Sequence, residues 1–408
     1  MSEKFIKRVE YLDFLKRWQE KDVIKVISGV RRSGKSTLLK LFVNQLINED
    51  IDSDQIQVIN FEDFENQVLR NATTLYQHIK SKLIPKKMNY IFLDEIQHVS
   101  EFEKVVDSFY VMENVDVYMT GSNAYFLSGE LATLLSGRYV ELKMLPLSFK
   151  EFYAWKNKKQ SGNLKLSKRE WINEYAKSSF PYTLFIDDDK TLADYLEGIY
   201  STILLKDVVT RIGVKDVDTL ERVTQYLASI IGSEFVSKTV QNVLNTNGKK
   251  TSHETIGRFI NALEETMFFY KARQYNIRGK RLLDTKFKYY LVDVGLRNIL
   301  LSDAKEEAGH ILENIIYLEL LRRGNKVYVG KIDKYEIDFI AENHVKEKMY
   351  VQVALNTENP NTLERELRPL QMVNDQYDKY LITLDEFQPT ANYEGIKKIN
   401  AFDWLLND

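Results

Sequence analysis

The stretch Gly29-Val30-Arg31-Arg32-Ser33-Gly34-Lys35-Ser36 has the spacing G-x-x-x-x-G-K-[ST]. Those residue types suit the capture of a polyphosphate. Glycines at Gly29 and Gly34 let the backbone turn so that successive amide N–H groups, including those of Arg31, Arg32 and Ser33, face phosphate oxygens. A helix beginning directly after the loop adds the positive end of its dipole. Lys35 then reaches the β- and γ-phosphates, Ser36 supplies a hydroxyl for Mg²⁺, and Thr37 is placed for the α-phosphate. Arg31 and Arg32 are unusual inside such a loop; they fit either phosphate contact or a neighbouring subunit.

A second acidic element follows. Tyr90-Ile91-Phe92-Leu93-Asp94-Glu95 is four apolar residues and then two acids. A buried strand carries Asp94 to the edge of a sheet, where it holds Mg²⁺ directly or through water, and puts Glu95 in position to polarise an attacking water. A paired Asp-Glu favours hydrolysis over phosphate delivery to a bound acceptor. Ser122 or Asn123, after the run Tyr118-Met119-Thr120-Gly121, fits sensing of the γ-phosphate or orientation of the water; a helix-capping turn is the plainer reading. Arg138 is a candidate arginine finger, in its own subunit or a neighbour's, against the commoner fate of a surface ion pair. The five histidines are scattered, and no pair has metal-ligand spacing.

These residues need a scaffold, and the pattern supplies one. The runs 23–27, 56–61, 90–94, 115–120 and 139–142 are β-rich and alternate with helical stretches, as in a parallel sheet flanked by helices. Leu38, Leu39, Phe42 and Leu46 mark the helix that must follow the phosphate loop. The polar stretch from Trp155 to Glu170 reads as an exposed linker. A mainly helical region extends to about Asn298, with 220–231 clearly amphipathic. A helix over 310–324 then precedes strands at 326–330, 336–341, 349–355 and 379–384.

Composition narrows the function classes. The 408 residues suggest two to three domains, and 44% hydrophobic content excludes a mainly disordered chain. Net charge −2 excludes a polycation that coats nucleic acid by bulk charge. The absence of cysteine excludes disulfides, thiolate metal sites and a thiol nucleophile. No long apolar run suggests a membrane span, and the charged N-terminal sequence lacks a signal-peptide core. A cytoplasmic location is expected.

The strings GVRRSGKSTLL, YIFLDEIQHV and MTGSNAYFLSGELATLLSGRYVELKMLPLSFKEF together resemble a prokaryotic AAA-type ATPase family. Its members carry the ATPase domain ahead of a C-terminal region of unknown function. The resemblance covers nearly the whole chain and includes the Pro146–Phe152 stretch. It implies an α/β fold: a P-loop NTPase domain with a five-stranded parallel sheet, the phosphate strand central, and helices on both faces. It also implies a site for ATP and Mg²⁺, with Gly34, Lys35, Ser36 and Thr37 on the nucleotide and Asp94 and Glu95 carrying metal and hydrolysis.

Beyond the ATPase domain the same resemblance implies a winged-helix-like segment. Helices starting at Ser237 and Ser252, with Ile256, Phe259, Ile260 and Leu263 on one face, fit it. Lys249 and Lys250 precede the second helix, and Lys271, Arg273, Arg278, Lys280 and Arg281 fit a hairpin wing. Such a module contacts DNA or docks protein. The last region is similar to the PD-(D/E)XK nuclease fold, an α/β restriction-endonuclease-like architecture. Glu313 and Asp338 survive there. Gln352 stands where a metal-binding Glu is usual and Ala354 where a Lys is usual, so the domain is expected to be inactive. Lys346 or Lys348 could substitute from the preceding loop, and Arg322 and Arg323 could pair with the remaining acids.

The expected division is 1–152 ATPase, 153–215 helical lid or linker, 216–300 winged-helix-like and 301–408 nuclease-like. The favoured function is an ATP-hydrolysing protein whose nucleotide state controls C-terminal domains that engage DNA or a protein partner. The alternatives are a non-hydrolysing nucleotide-gated switch and an ATP-regulated DNA nuclease. Oligomeric state stays open.

Overall fold

The computed structural model describes residues 5–122, 135, 137–159, 166–209, 212–245, 251–301 and 308–407. The chain forms two compact units. The first is Met1–Pro146 with Glu265–Met267, and the second is Leu147–Glu264 with Phe268–Asp408.

In the first unit, α1 (Val9–Trp18) precedes β1 (Ile24–Ser28), α2 (Lys35–Asn48), β2 (Ile56–Asn60), α3 (Ala72–Ser81), β3 (Asn89–Asp94), α4 (Phe102–Tyr110), β4 (Val115–Gly121) and β5 (Tyr139–Lys143). The strands form a five-stranded sheet in the order β2-β3-β4-β1-β5, and every pairing is parallel. All five strands lie at the positions their β-rich runs predict. Side chains alternate across such a sheet, so a strand buried on both faces reads as one continuous apolar run. In β3, Ile91 and Leu93 pack with Leu75, Ile79, Val105 and Phe109 on one face. Tyr90 and Phe92 pack with Leu38, Phe42 and Tyr11 on the other. The rings of Phe92 and Tyr118 stack at 4.7 Å. The phosphate strand β1 is interior and fully buried, although β4 rather than β1 is the middle strand.

In the second unit, α5 (Phe149–Lys159) and α6 (Lys168–Lys177) take up both ends of the stretch expected as a linker, whose residues 160–165 lie outside the described residues. Trp155, expected in an exposed excursion, is buried on α5 with its ring edge-on to Phe185 at 5.4 Å. After α7 (Asp189–Thr202) come α8 (Val217–Ser229), α9 (Ser237–Asn245) and α10 (His253–Glu265), then the hairpin β6 (Phe269–Asn276) and β7 (Arg281–Leu291). Next are α11 (Gly295–Leu300), α12 (Ala308–Arg322), β8 (Lys326–Ile332), β9 (Tyr335–Glu342), β10 (Lys348–Ala354), α13 (Pro360–Gln371), β11 (Asp378–Thr383), β12 (Ala391–Tyr393), β13 (Ile396–Asn400) and α14 (Ala401–Leu406).

An eight-stranded sheet runs β12-β13-β11-β10-β9-β8-β6-β7. Its core is an antiparallel meander β8-β9-β10 followed by α13 and a parallel β11. The hairpin joins this sheet through β6, which pairs parallel with β8. Residues on either side of position 300 therefore share one sheet.

Candidate functional site

Parallel strands deliver all their carboxyl ends to one edge, which is where ligands of open α/β sheets bind. Here that edge collects Gly29 after β1, Asp94 and Glu95 after β3, and Ser122 after β4. The register Ile27↔Thr120 aligns β1 with β4, and Leu93↔Met119 aligns β3 with β4.

Two glycines shape the loop. A Cβ on Gly29 would sit 2.3 Å from the Met144 carbonyl oxygen, so no side chain fits there. Gly34 caps α2 with φ 102°, a left-handed value that costs other residues energy. Arg32 also takes a positive φ of 65°. Arg31 reaches sideways to pair with Glu62 at 2.8 Å. Ser33 is fully buried, and its Oγ has no hydrogen-bond partner among the described residues. An orphaned buried hydroxyl inside a glycine-shaped loop is a ready contact for an oxygen-rich ligand.

Lys35 is buried at the start of α2. Its Nζ donates to the Gly29 and Val30 carbonyls at 3.0 and 3.3 Å and lies 3.6 Å from Glu95 Oε1. Ser36 and Thr37 occupy the first turn of α2. Ser36 stands close enough to Asp94 to help hold its carboxyl down. Thr120 Oγ1 donates to Asp94 Oδ1 at 2.6 Å and accepts from the Glu95 N–H at 2.9 Å. Burial pushes the Asp94 carboxyl up, against Thr120 and Ser36. Burial also pushes on Glu95, but Lys35, a hydrogen bond from Gln97, Arg31 and a bond from Ser122 outweigh it and hold that carboxyl below its usual range. Glu95 itself takes a left-handed backbone, φ 56°. Two adjacent carboxylates thus have opposite electrostatic settings. Asp94 beside Ser36 is the oxygen-donor pair that would hold Mg²⁺, and Glu95 is an ionised base held by a lysine.

Some expected residues fall elsewhere. Asn123 lies outside the described residues. Arg138 sits at the wrong edge for a finger in its own subunit. The Ile24 N–H donates to the Arg138 carbonyl at 2.8 Å, so Arg138 stands at the start of β1 while the phosphate loop follows its end, roughly 13 Å away. Its guanidinium pairs with Asp107 and lies over the Tyr110 ring; parallel register, not sequence proximity to the Ser122 loop, decides its place.

Sequence reasoning missed three residues here. Thr120 stands in the strand run 115–120 and Gln97 in the string YIFLDEIQHV, but neither is marked by the sequence as a support of the acids. Arg8 is 4% exposed, and its guanidinium donates to the carbonyls of Ser33 at 3.3 Å, Leu145 at 3.0 Å and Pro146 at 3.1 Å. No local pattern marks it.

In the second unit, Ile256, Phe259, Ile260 and Leu263 are buried as their spacing predicts. The exposed positions of α10 are His253, Glu254, Arg258 and Asn261, a mixed rather than basic face. Lys249 and Lys250 lie outside the described residues. The hairpin exposes Arg273, Arg278, Lys280 and Arg281; Arg278 pairs with Asp333 at 2.7 Å.

Glu313 is buried and Asp338 is close to it. Arg322 and Arg323 do not serve these acids; both bond Glu319, at 3.2 and 3.1 Å. Lys348 lies over the Tyr275 ring, and Lys346 occupies an exposed turn. The cation beside Glu313 is Lys288 of β7, at 3.1 Å. Among the described residues no group of three or more His, Cys, Asp or Glu is arranged to hold a metal ion, and no helix is long and apolar enough to cross a membrane.

A parallel sheet with this loop, lysine and acidic pair defines a P-loop NTPase domain of AAA type. The model of an AAA domain matches residues 21–153, and that of a domain of unknown function, DUF8612, matches 169–307. An uncharacterized protein of Haemophilus influenzae is 42% identical over 100% of both chains. An uncharacterized protein of Methanocaldococcus jannaschii is 33% identical, over 93% of this chain and 85% of its own. The chain belongs to the family of these two proteins and carries an AAA domain with a second domain of unknown function. In fold alone it is similar to a Walker-type ATPase of Pyrococcus abyssi, with TM-score 0.50 and 15% identity, over 73% of this chain and 97% of that one.

Proposed function

We propose that this protein binds ATP with Mg²⁺, hydrolyses it, and uses the nucleotide state to control how its second unit engages DNA or a protein partner. The observation that carries the hydrolytic reading is the opposed pair at the end of β3. Asp94 lies beside Ser36, and Glu95 is kept ionised beside Lys35.

The loop amides and Lys35 bind and neutralise the triphosphate, and binding draws the Lys35 ammonium from the Gly29 and Val30 carbonyls. Ser36 and Asp94 would hold Mg²⁺, which would neutralise charge on the triphosphate. Released from Lys35, the Glu95 carboxylate accepts a proton from the attacking water, with Gln97 and Ser122 steadying it. Steady-state turnover of ATP by wild type and Glu95→Gln tests this. The expected loss is on the order of 10²–10³-fold; unchanged turnover rejects Glu95 as base and favours the non-hydrolysing switch.

The DNA reading is supported by the exposed basic residues of the β6–β7 hairpin rather than by α10, whose exposed face includes Glu254. Filter binding across a salt series tests it. Affinity falling steeply with salt is expected; no binding leaves protein docking as the account of this module.

A further inference from the structure

A strand at the edge of a sheet leaves a row of backbone N–H and C=O groups without a neighbouring strand, and proteins blunt such edges with Lys, Pro or a bulge. β2 ends the sheet of the first unit. Its residues, Ile56-Gln57-Val58-Ile59-Asn60, include no Lys and no Pro, and its register with β3 runs without a shift from Ile56↔Tyr90 to Asn60↔Asp94. The Phe61 N–H donates to the Asp94 carbonyl at 3.0 Å. With that register the odd-numbered residues turn their main-chain groups to β3, and Ile56 and Val58 turn theirs to the free side. The Val58 side chain is exposed.

Beside this edge lies a groove of about 630 Å³, whose lining includes Asp54, Gln57, Val58, Asn66, His78 and Lys82. Gln57 is 8% exposed. Its Nε2 donates to the Ile79 carbonyl at 3.3 Å, while its Oε1 has no hydrogen-bond partner among the described residues. A buried acceptor left open calls for a donor from outside. Phe64 and Val68, which follow the strand, add exposed apolar surface.

Charge selects the occupant. Positions 52–65 carry Asp52, Asp54, Glu62, Asp63 and Glu65 and no Lys or Arg, so acids flank both ends of β2. Asp52 pairs with Lys87 and Glu62 with Arg31, and Asp54, Asp63 and Glu65 have no ion pair among the described residues. The groove's Lys82 stands at the end of α3, not on the strand. A second copy laid antiparallel about Val58 would set Asp54 of each copy against Glu62 of the other, and like charges directly opposite destabilise a strand pair.

We propose that the β2 edge takes an extended segment of a partner protein as a sixth strand, one with an apolar middle and Lys or Arg at both ends. The inference does not depend on ATP hydrolysis.

Fluorescence anisotropy of the labelled peptide KKTVTVTKK with the full chain tests it. Saturable binding is expected, with EETVTVTEE at least about tenfold weaker. The amides of Ile56 and Val58 should exchange with deuterium more slowly when KKTVTVTKK is bound. Val58→Pro removes an outward N–H and leaves the β3 ladder intact, so it should weaken peptide binding at least about tenfold with ATP affinity unchanged. Val58→Lys places a charge on the edge; it carries the same expectation and replaces Val58→Pro if that chain does not fold. No binding, equal binding of the two peptides, or binding that the variants leave unchanged overturns the proposal. So does sedimentation of wild type as a dimer that Val58→Pro dissolves, which would make a second copy the occupant.

Discussion

Arg8 lies far from the phosphate motif in sequence, yet its removal should damage the phosphate site. Its guanidinium bonds three main-chain carbonyls, those of Ser33, Leu145 and Pro146, and lies 4.6 Å from the centre of the Tyr11 ring. The Ser33 carbonyl belongs to the same peptide plane as the Gly34 N–H. In a trans peptide the two point in opposite directions, and no cis bond occurs among the described residues. By holding that carbonyl, Arg8 aims the Gly34 N–H away from itself and fixes the turn into α2. A hydrogen bond with one charged partner contributes about 1.5–3 kcal/mol, and the ring contact about 0.5–2 kcal/mol. These terms share one side chain and do not add fully. Arg8→Ala should then destabilise the first unit by about 3 kcal/mol, a melting shift of roughly 6–12 °C. ATP affinity, measured by calorimetry well below that melting point, should fall about tenfold as the Ser33–Gly34 peptide loses its anchor. Arg8→Lys keeps the charge but not the planar fork and should recover only part of both effects. A shift under about 1 °C, or a folded Arg8→Ala chain with unchanged ATP affinity, would refute this reasoning.

The two acids after β3 should respond oppositely to neutralisation. The folded-state pKa of Asp94 is raised, so its ionisation costs stability as pH rises above the unfolded value of about 3.9. Asp94→Asn should therefore raise the melting temperature at pH 7.5, and the gain should vanish near pH 4. The folded-state pKa of Glu95 is depressed, so its contribution is present above the unfolded value of about 4.3 and is lost as pH falls through the folded one. Glu95→Gln should lower the melting temperature at neutral pH because Lys35 loses its partner; melting curves of both variants across pH check the pair. Arg138→Ala should leave ATP turnover within about twofold of wild type, since exposed ion pairs like Arg138–Asp107 contribute little; a hundredfold loss would mean that a neighbouring copy supplies this arginine.

The first unit was largely legible because its information is local. The loop glycines, Lys35 and Ser36 are contiguous in sequence, and the four apolar residues before Asp94 predict a strand buried on both faces. What stayed hidden depends on contacts between distant segments. Arg8 is 137 positions from Leu145, and nothing around it forms a motif. Arg138 follows the Ser122 loop in sequence, but the parallel register carries it to the opposite sheet edge. In the second unit the β-runs around Asp338 and the neutral Gln352 were visible, but the cation pairing with Glu313 and Asp338 was expected from Arg322 or Arg323. It came instead from Lys288, because β6 pairs with β8 and brings the hairpin into the sheet. Such pairing is non-local, and no period in the sequence encodes it.

Titration calorimetry of ATP with Mg²⁺ into wild type and Lys35→Ala tests the phosphate site most directly. Lys35 lies where the loop carbonyls and Glu95 converge, so replacing it should weaken binding about a hundredfold, or beyond detection. Equal affinity in the two proteins, or no heat with wild type, would contradict the account.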